Sequence, residues 1–409
     1  MNGFKDSSLS HFKPIPVTAF TTINSCGLGN NALYQAMLNS QSGLGELTIL
    51  DIPFTTPVGE IKNELPAIRP ELVAYDSRNA KVALAALNFS EDGLRTAIEV
   101  AKSNYGSDRI GVVIGTSTSG LSETEIAYQV LLKQGKMPDD FHFLTRHAYQ
   151  ATPRSLQKEL QLNGPCFAVS TACSSGAKAI AAGQRLINYD VCDAVLVGGV
   201  DTLCRLTLRG FNSLELVSSD LCHPMDKNRN GINIGEGAGL LLLQKPAIQY
   251  HHLPHVLSVG ESSDAYHMSS PHPEGKGAVA AMSNAINLAG LKPDDVDYIN
   301  LHATATLIND QVEAKAVYEV FNDSVPCSGS KGITGHTLGA AGAIEAIVAL
   351  LALQHQMIPG TCGLQELDNN FDCHVIKNSL PDQTLQTVMS NSFGFGGNNA
   401  CIIFSKGYE

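Results

Sequence analysis

Short apolar runs bounded by glycine or polar turns recur along the chain, at 110–115, 194–199, 240–243, 298–301 and 400–404. Runs of this length and boundary read as buried strands. Longer segments with helical spacing lie between them, at 175–187, 277–288, 310–320 and 339–353. Strands alternating with helices predict an α/β protein with largely buried sheets. No Ser/Pro linker or charge block divides the chain. The best internal joint is QKPAIQYHHLPHV after Leu243, too short for a flexible tether, so two halves in one rigid body are expected. Two helices are built from small residues, SSGAKAIAAG at 174–183 and GAAGAIEA at 339–346. Neighbours can approach such helices closely on every side, which places them at the centre of the molecule; ordinary packed helices are the alternative.

The 409 residues are 44% hydrophobic, enough for a large core, while aromatics are 6% and tryptophan is absent. The net charge of −12 argues against a nucleic-acid binder, which would carry a basic field. An acidic partner would need a local basic patch. The ten cysteines form no CxxC pair, which argues against a disulfide framework or a zinc site. The first residues, MNGFKDSSLSHFKPI, hold no apolar stretch of signal-peptide length. The longest apolar run, 338–353, is interrupted by Glu345 and reads as a core helix rather than a membrane span. A reduced, soluble, cytoplasmic protein is the expectation.

Four segments could carry chemistry. In VSTACSSGAKAI, Cys173 sits where an apolar strand gives way to a helix, with Ser174 and Ser175 as candidate caps. A helix N-terminus favours thiolate, the nucleophile needed to take an acyl group from a thioester. A buried, inert cysteine is an equal alternative on this motif alone. NLHATATLIND places His302 at the end of a strand, and SGSKGITGHTLGAAGAIE places Lys331 and His336 in a Gly-rich loop opening a helix. Loops of this kind are where α/β proteins put their sites. NSFGFGGNNACIIF is a Gly-rich turn before the last strand, and it lacks the lysine and helix of a phosphate loop.

Taken in order, TACSSG around Cys173, PMDKNRNGINIGEGAG at 224–239, SSDAYHMSSPHPEG at 262–275, HATAT from His302, KGITGHTLGAAGAIE from Lys331 and NSFGFGG from Asn391 resemble the β-ketoacyl-(acyl carrier protein) synthases, types I and II, of the thiolase-like superfamily. The likeness covers nearly the whole chain. GGVDTLCRLTLRGFNSLELVS and YDSRNAK are most similar to synthases of aryl polyene clusters. The resemblance implies a five-layered αβαβα fold from two similar halves, 1–247 and 248–409, and a ping-pong decarboxylative condensation with malonyl-carrier protein. It implies that Cys173 carries the acyl chain and that the backbone N–H groups of Cys173 and Phe395 form an oxyanion hole. His302 and His336 would donate N–H bonds to the malonyl thioester oxygen, where charge builds as CO2 leaves. Lys331 would orient the site electrostatically, supported by Glu345. Thr304 and Thr306 would bind the pantetheine arm, while Phe395, Phe211, Thr118 and Asp264 would shape or gate the acyl pocket. No metal is implied, and no cofactor beyond the phosphopantetheine of the acyl carrier protein. The assembly would be a homodimer or a heterodimer with a chain-length-factor-like ketosynthase, with no membrane span.

The chain also departs from the family. HATAT stands for the usual HGTGT, and an ordinary backbone at Ala303 is expected, with a slightly narrower pantetheine channel. Asn398 and Asn230 replace a usual Thr and Asp. Thr118, in GTSTSG, suggests a specialised acyl chain over a long saturated one. A degrading thiolase would need a second cysteine in the last third, and Cys401 lies outside the GFGG turn. An initiating synthase would use Asn in place of His336. A non-catalytic chain-length factor would lack the nucleophile. Arg205, Arg209 and Lys133 are the candidates for a basic carrier-docking patch.

Overall fold

The computed structural model describes residues 12–407, so residues 1–11, most of the segment weighed above for a leader, lie outside the described residues. The strands are β1 (Ile15–Asn24), β2 (Gly27–Leu28), β3 (Ile110–Gly115), β4 (Cys166–Val169), β5 (Ala194–Asp201), β6 (Gly237–Gln244), β7 (His255–Ser263), β8 (Tyr298–Leu301), β9 (Cys327–Gly329), β10 (Thr387–Gly394) and β11 (Asn398–Ser405). The α-helices are α1 (Asn30–Leu38), α2 (Arg78–Leu87), α3 (Leu94–Tyr105), α4 (Leu121–Gln134), α5 (Phe143–Arg146), α6 (Ala151–Glu159), α7 (Ser175–Asn188), α8 (Arg205–Ser213), α9 (Lys276–Ala289), α10 (Leu307–Phe321), α11 (Lys331–Thr334) and α12 (Ala341–His355).

Pairing runs in the order β4-β3-β5-β6-β1-β7-β11-β10-β8-β9, with β2 folded back on β1. β1 is the joint: most of it pairs with β6, while Ile15 and Pro16 pair with Val256 and His255 of β7. The chain therefore makes two mixed sheets sharing one strand. Helices α2, α3 and α6 pack on the first sheet, and α9 packs on the second with α10 against it; α7 and α12 lie between the sheets. The five expected layers are present in that order, in an α/β fold.

Every predicted strand and helix is present, and where a boundary differs the reason is local. β6 begins at Gly237 rather than at 240 because Gly237, Ala238 and Gly239 pair with β5 on one side, and Ala238 and Gly239 also pair with β1 on the other. α10 begins at Leu307 because the Thr306 hydroxyl accepts a bond from the Asn309 N–H. The small-residue helices are central. A Cβ on Gly176 would lie 2.7 Å from the Ala343 nitrogen, and one on Gly342 would lie 2.8 Å from the Ala177 nitrogen. Only glycine allows backbones this close. Residues Leu338–His355 are long and apolar enough to cross a membrane, yet 89% of that stretch is buried inside the protein, as a helix between two sheets must be.

The expected caps are a correction. Ser174 holds the N-cap position without a side-chain cap, because its hydroxyl donates back to the Thr171 carbonyl. Ser175 donates to the Ala172 carbonyl at 2.6 Å and accepts from the Thr171 N–H. Both hydroxyls hold the turn that precedes the helix, not the helix end itself.

Candidate active site

That turn positions Cys173. Ala172 has φ 52°, a left-handed conformation that swings the chain from β4 into α7. The thiol is buried at the start of α7, faced by the backbone N–H groups of Phe395 and of Cys173 itself. Burial nonetheless pushes the Cys173 thiol up to about 11, against the pull of those N–H groups and of Lys331. The helix terminus and these N–H groups favour the thiolate, as expected, and desolvation opposes them.

His336 reaches the sulfur from the loop after α11, with Nε2 3.1 Å from Sγ. Its main chain is held by the Asn233 carbonyl and by the Gly235 N–H. The Leu338 N–H donates to His336 Nδ1 at 3.0 Å, so the ring proton sits on Nε2. His302 follows β8, its ring edge-on to His336 at 5.4 Å between centroids. Lys331 Nζ approaches His302 Nδ1 at 3.2 Å and also donates to the His302 carbonyl and to Glu345 Oε1. Three acceptors match the three N–H bonds of an ammonium, so His302 too carries its proton on Nε2. Burial, with Lys331 adding to it, pushes both imidazoles well below their usual 6.5. Burial also pushes the Glu345 carboxyl up to about 7, against the pull of Lys331.

One atom each from Cys173, His302 and His336 lie within 4.8 Å of one another, a spacing a metal could use. The protonation pattern does not suit one. A metal-bound imidazole binds through a bare nitrogen and donates from the other, whereas here both Nδ1 atoms accept and both Nε2 atoms carry hydrogen.

The HATAT loop departs from expectation. Ala303 has φ 33° and Ala305 φ 66°, so both adopt the left-handed region rather than an ordinary backbone. Carboxylates from α10 hold them there. Glu313 accepts the His302 and Ala303 N–H groups at 2.7 Å each, and Asp310 accepts from Ala305 and from Met225. Burial pushes Glu313 up to about 7 and raises Asp310. Sequence reading missed both acids. Their i, i+3 spacing on the inward face of a helix was the available signal.

The thiol and both histidines open on a cavity of about 330 Å³. Thr304 and Thr306 line it, their hydroxyls 2.9 Å apart. Phe211 and Phe395 face each other across it at 5.5 Å, and Asp264 lies beside them. The Asp264 carboxylate accepts from the Asn399 side chain at 2.8 Å, and the Asp264 N–H donates to Gly397, tying its loop to the Gly-rich turn. Asn230 also lines the cavity, accepting from the Ser218 hydroxyl, while Asn398 accepts from Lys178 Nζ at 3.3 Å. Thr118 is not among the lining residues. Its hydroxyl donates to Asp201, a buried acid that also gathers the Thr116 hydroxyl and the Ser117, Thr118 and Gly339 N–H groups. Cys401 is fixed within β11, away from the cavity lining.

The family models for the β-ketoacyl synthase N-terminal and C-terminal domains match residues 13–247 and 254–365. A 3-oxoacyl-[acyl-carrier-protein] synthase 2 from Coxiella burnetii is 30% identical, covering 97% of this chain and 99% of its own. The mitochondrial 3-oxoacyl-[acyl-carrier-protein] synthase of Arabidopsis thaliana is 29% identical over 99% of this chain and 96% of its own. Among solved structures, the ketosynthase ApeO in complex with its chain length factor ApeC, from Xenorhabdus doucetiae, superposes with TM-score 0.89 at 39% identity, covering 98% of this chain and 99% of that one. The ishigamide ketosynthase/chain length factor gives 0.87 at 26% identity, covering 97% and 100%. Matched across both domains, the chain belongs to the β-ketoacyl synthase family, the acyltransferases that extend carrier-bound acyl chains.

Proposed function

We propose that this chain is the catalytic subunit of a carrier-dependent condensing enzyme, with Cys173 as the acyl carrier within the site. The observation that carries this reading is the convergence of the Cys173 thiol and two Nε2–H imidazoles on one cavity. In the first half-reaction the Cys173 sulfur attacks the acyl thioester. The carbonyl oxygen draws on the Cys173 and Phe395 N–H groups, and the thiol proton leaves with the pantetheine sulfur. In the second, the malonyl thioester oxygen accepts from His302 and His336 as CO2 departs. The resulting carbanion attacks the acyl carbonyl, and the Cys173 thiolate leaves and takes up a proton. Lys331 works through His302, holding its tautomer, and Glu345 holds Lys331. Thr304 and Thr306 bind the pantetheine arm, and Phe395, Phe211 and Asp264 shape or gate the acyl pocket. No cofactor beyond the carrier's phosphopantetheine enters this scheme. We place the junction of the two halves at 247/248.

The likeness to ApeO and to aryl polyene synthases supports a polyene-type chain and a heterodimer with a chain-length factor. Ten free cysteines support a reducing, cytoplasmic setting. Mass spectrometry after incubation with acyl-carrier protein tests the reading. An acyl adduct on Cys173, lost in Cys173→Ala, is the expected result; no adduct on any cysteine with a competent donor would make the chain a scaffold for another ketosynthase.

A further inference from the structure

Asp201 closes β5, fully buried, and lines no part of the Cys173 cavity. Its carboxylate nonetheless ties the turn after β3 to the segment that follows His336. Oδ1 accepts from the Thr116 and Thr118 hydroxyls and from the Ser117 and Thr118 N–H groups. Oδ2 accepts from the Ser117 N–H at 2.9 Å and from the Gly339 N–H at 2.6 Å. Glycines let the second contact form. A Cβ on Gly199 would lie 2.8 Å from Ala340 Cα, and one on Gly339 would lie 2.7 Å from Asp201 Oδ2.

Gly339 follows Leu338, whose φ is 53°. A branched residue stays in the left-handed region only where its surroundings hold it there. Here they are the grip of Asp201 on Gly339 and the apolar cluster that Leu338 joins, with Val58, Leu203, Ile232 and Ile234. That conformation serves one hydrogen bond: the Leu338 N–H donates to His336 Nδ1 at 3.0 Å. Without it Nδ1 is free to carry the ring proton, and Nε2, 3.1 Å from Cys173 Sγ, is left bare.

We propose that Asp201 is a positioning residue for His336: by holding Gly339 it keeps Leu338 left-handed, and so keeps the imidazole proton on Nε2, where the malonyl oxygen needs it. This rests on the condensing-enzyme reading above and adds the group that selects the donor tautomer. Both partners of Oδ2 are backbone N–H groups, which cannot accept, so Oδ2 must stay bare for the contact to exist. Asparagine cannot stand in. Its NH2 would meet the Gly339 N–H if placed at Oδ2, and the Thr118 N–H if placed at Oδ1.

The two half-reactions separate this role from a structural one. Acylation of Cys173 draws on the Cys173 and Phe395 N–H groups, whereas CO2 release draws on the Nε2 proton of His336. In Asp201→Asn of the assembled enzyme, CO2 release from malonyl-carrier protein is expected to slow about tenfold or more. Acylation by acyl-carrier protein should hold within about twofold or quicken, because a bare Nε2 facing Sγ takes up the thiol proton. Gly339→Ala, which pushes the carboxylate away from the other side, is expected to give the same split. Equal slowing of both half-reactions, or unchanged CO2 release, overturns the proposal. Nitrogen NMR of isotope-labelled histidine reads the tautomer without turnover, with His336 assigned by the signals lost in His336→Gln. The wild type is expected to show a protonated Nε2 and a bare Nδ1, and Asp201→Asn a shift of the proton towards Nδ1; the same tautomer in both overturns the positioning role. A wild type that releases no CO2 sinks the condensing-enzyme reading and leaves the tautomer to decide Asp201 alone.

Discussion

In the proposed reaction the chemistry turns on two protons, one on Nε2 of His302 and one on Nε2 of His336. Burial holds both imidazoles well below 6.5, so each stays neutral from that depressed value upward. Neither donor changes as pH rises through 6.5. The rate of CO2 release from malonyl-carrier protein is therefore expected not to fall as pH rises above 6.5, as it would with an imidazolium donor; any change near pH 7 is expected to come from Glu345 and Glu313, which gain charge there. Stability is a poorer readout. The depressed histidines make stability fall as pH drops below 6.5, while Glu313 and Glu345, raised to about 7, make it fall as pH rises from 4.5 towards 7. The two trends oppose each other in that window. Cys173, His302, His336 and Lys331 were legible in sequence because each lies in a dense motif. Glu313, Asp310 and Asp201 were not, because an acid on a helix or at a strand end reads as solvent-facing until the backbone N–H groups it accepts are seen.

At the scale of elements, β8 and β9 run parallel, with Leu301 opposite Gly329. Just beyond, Ala303 turns left-handed and points its methyl at Gly329, where an added Cβ would meet it at 2.6 Å. Gly329→Ala is expected to cost about 1–3 kcal/mol through overpacking. Ala303→Gly removes the clashing methyl and relaxes the positive φ, so the double variant should recover most of that loss. A coupling energy above about 0.5 kcal/mol in urea unfolding is the expected outcome, and additivity would show that the two positions do not share this contact. Element legibility followed composition. The uninterrupted apolar run Ile110–Gly115 matches its strand end to end, and Tyr298–Leu301 does so with Asn300 as its one polar residue. β1 and β10 escaped notice because Thr, Ser and Asn stand in them, as in IPVTAFTTIN and TVMSNSFG, and pairing on both sides supplies what composition lacks.

For the whole molecule, the pattern of the sequence predicted one rigid body and a pair of central helices, but not how the sheets join. That join depends on two residues of β1, a detail no periodicity encodes. The other end of the order is open. β4 is an edge strand of half-buried apolar residues, and nearby α4 and α5 expose Ile126, Leu132, Phe143 and Leu144. Unpaired apolar edges flanked by exposed apolar helices are commonly covered in stable proteins. Light scattering is expected to give a two-chain particle, with this chain and a chain-length-factor-like partner when both are expressed. Phe143→Glu with Leu144→Glu should shift it towards single chains.

β1 has one more consequence. A strand stitched into both sheets, with glycine-packed helices between them, leaves the frame no seam along which to open. Accommodating a new acyl chain then falls to the short loops at the rim, chiefly the Asp264 loop and the Gly-rich turn it is laced to. Substitutions in those loops can change which chain fits without moving the frame that aligns Cys173 with its histidines, so fit and alignment are mechanically separate in this molecule.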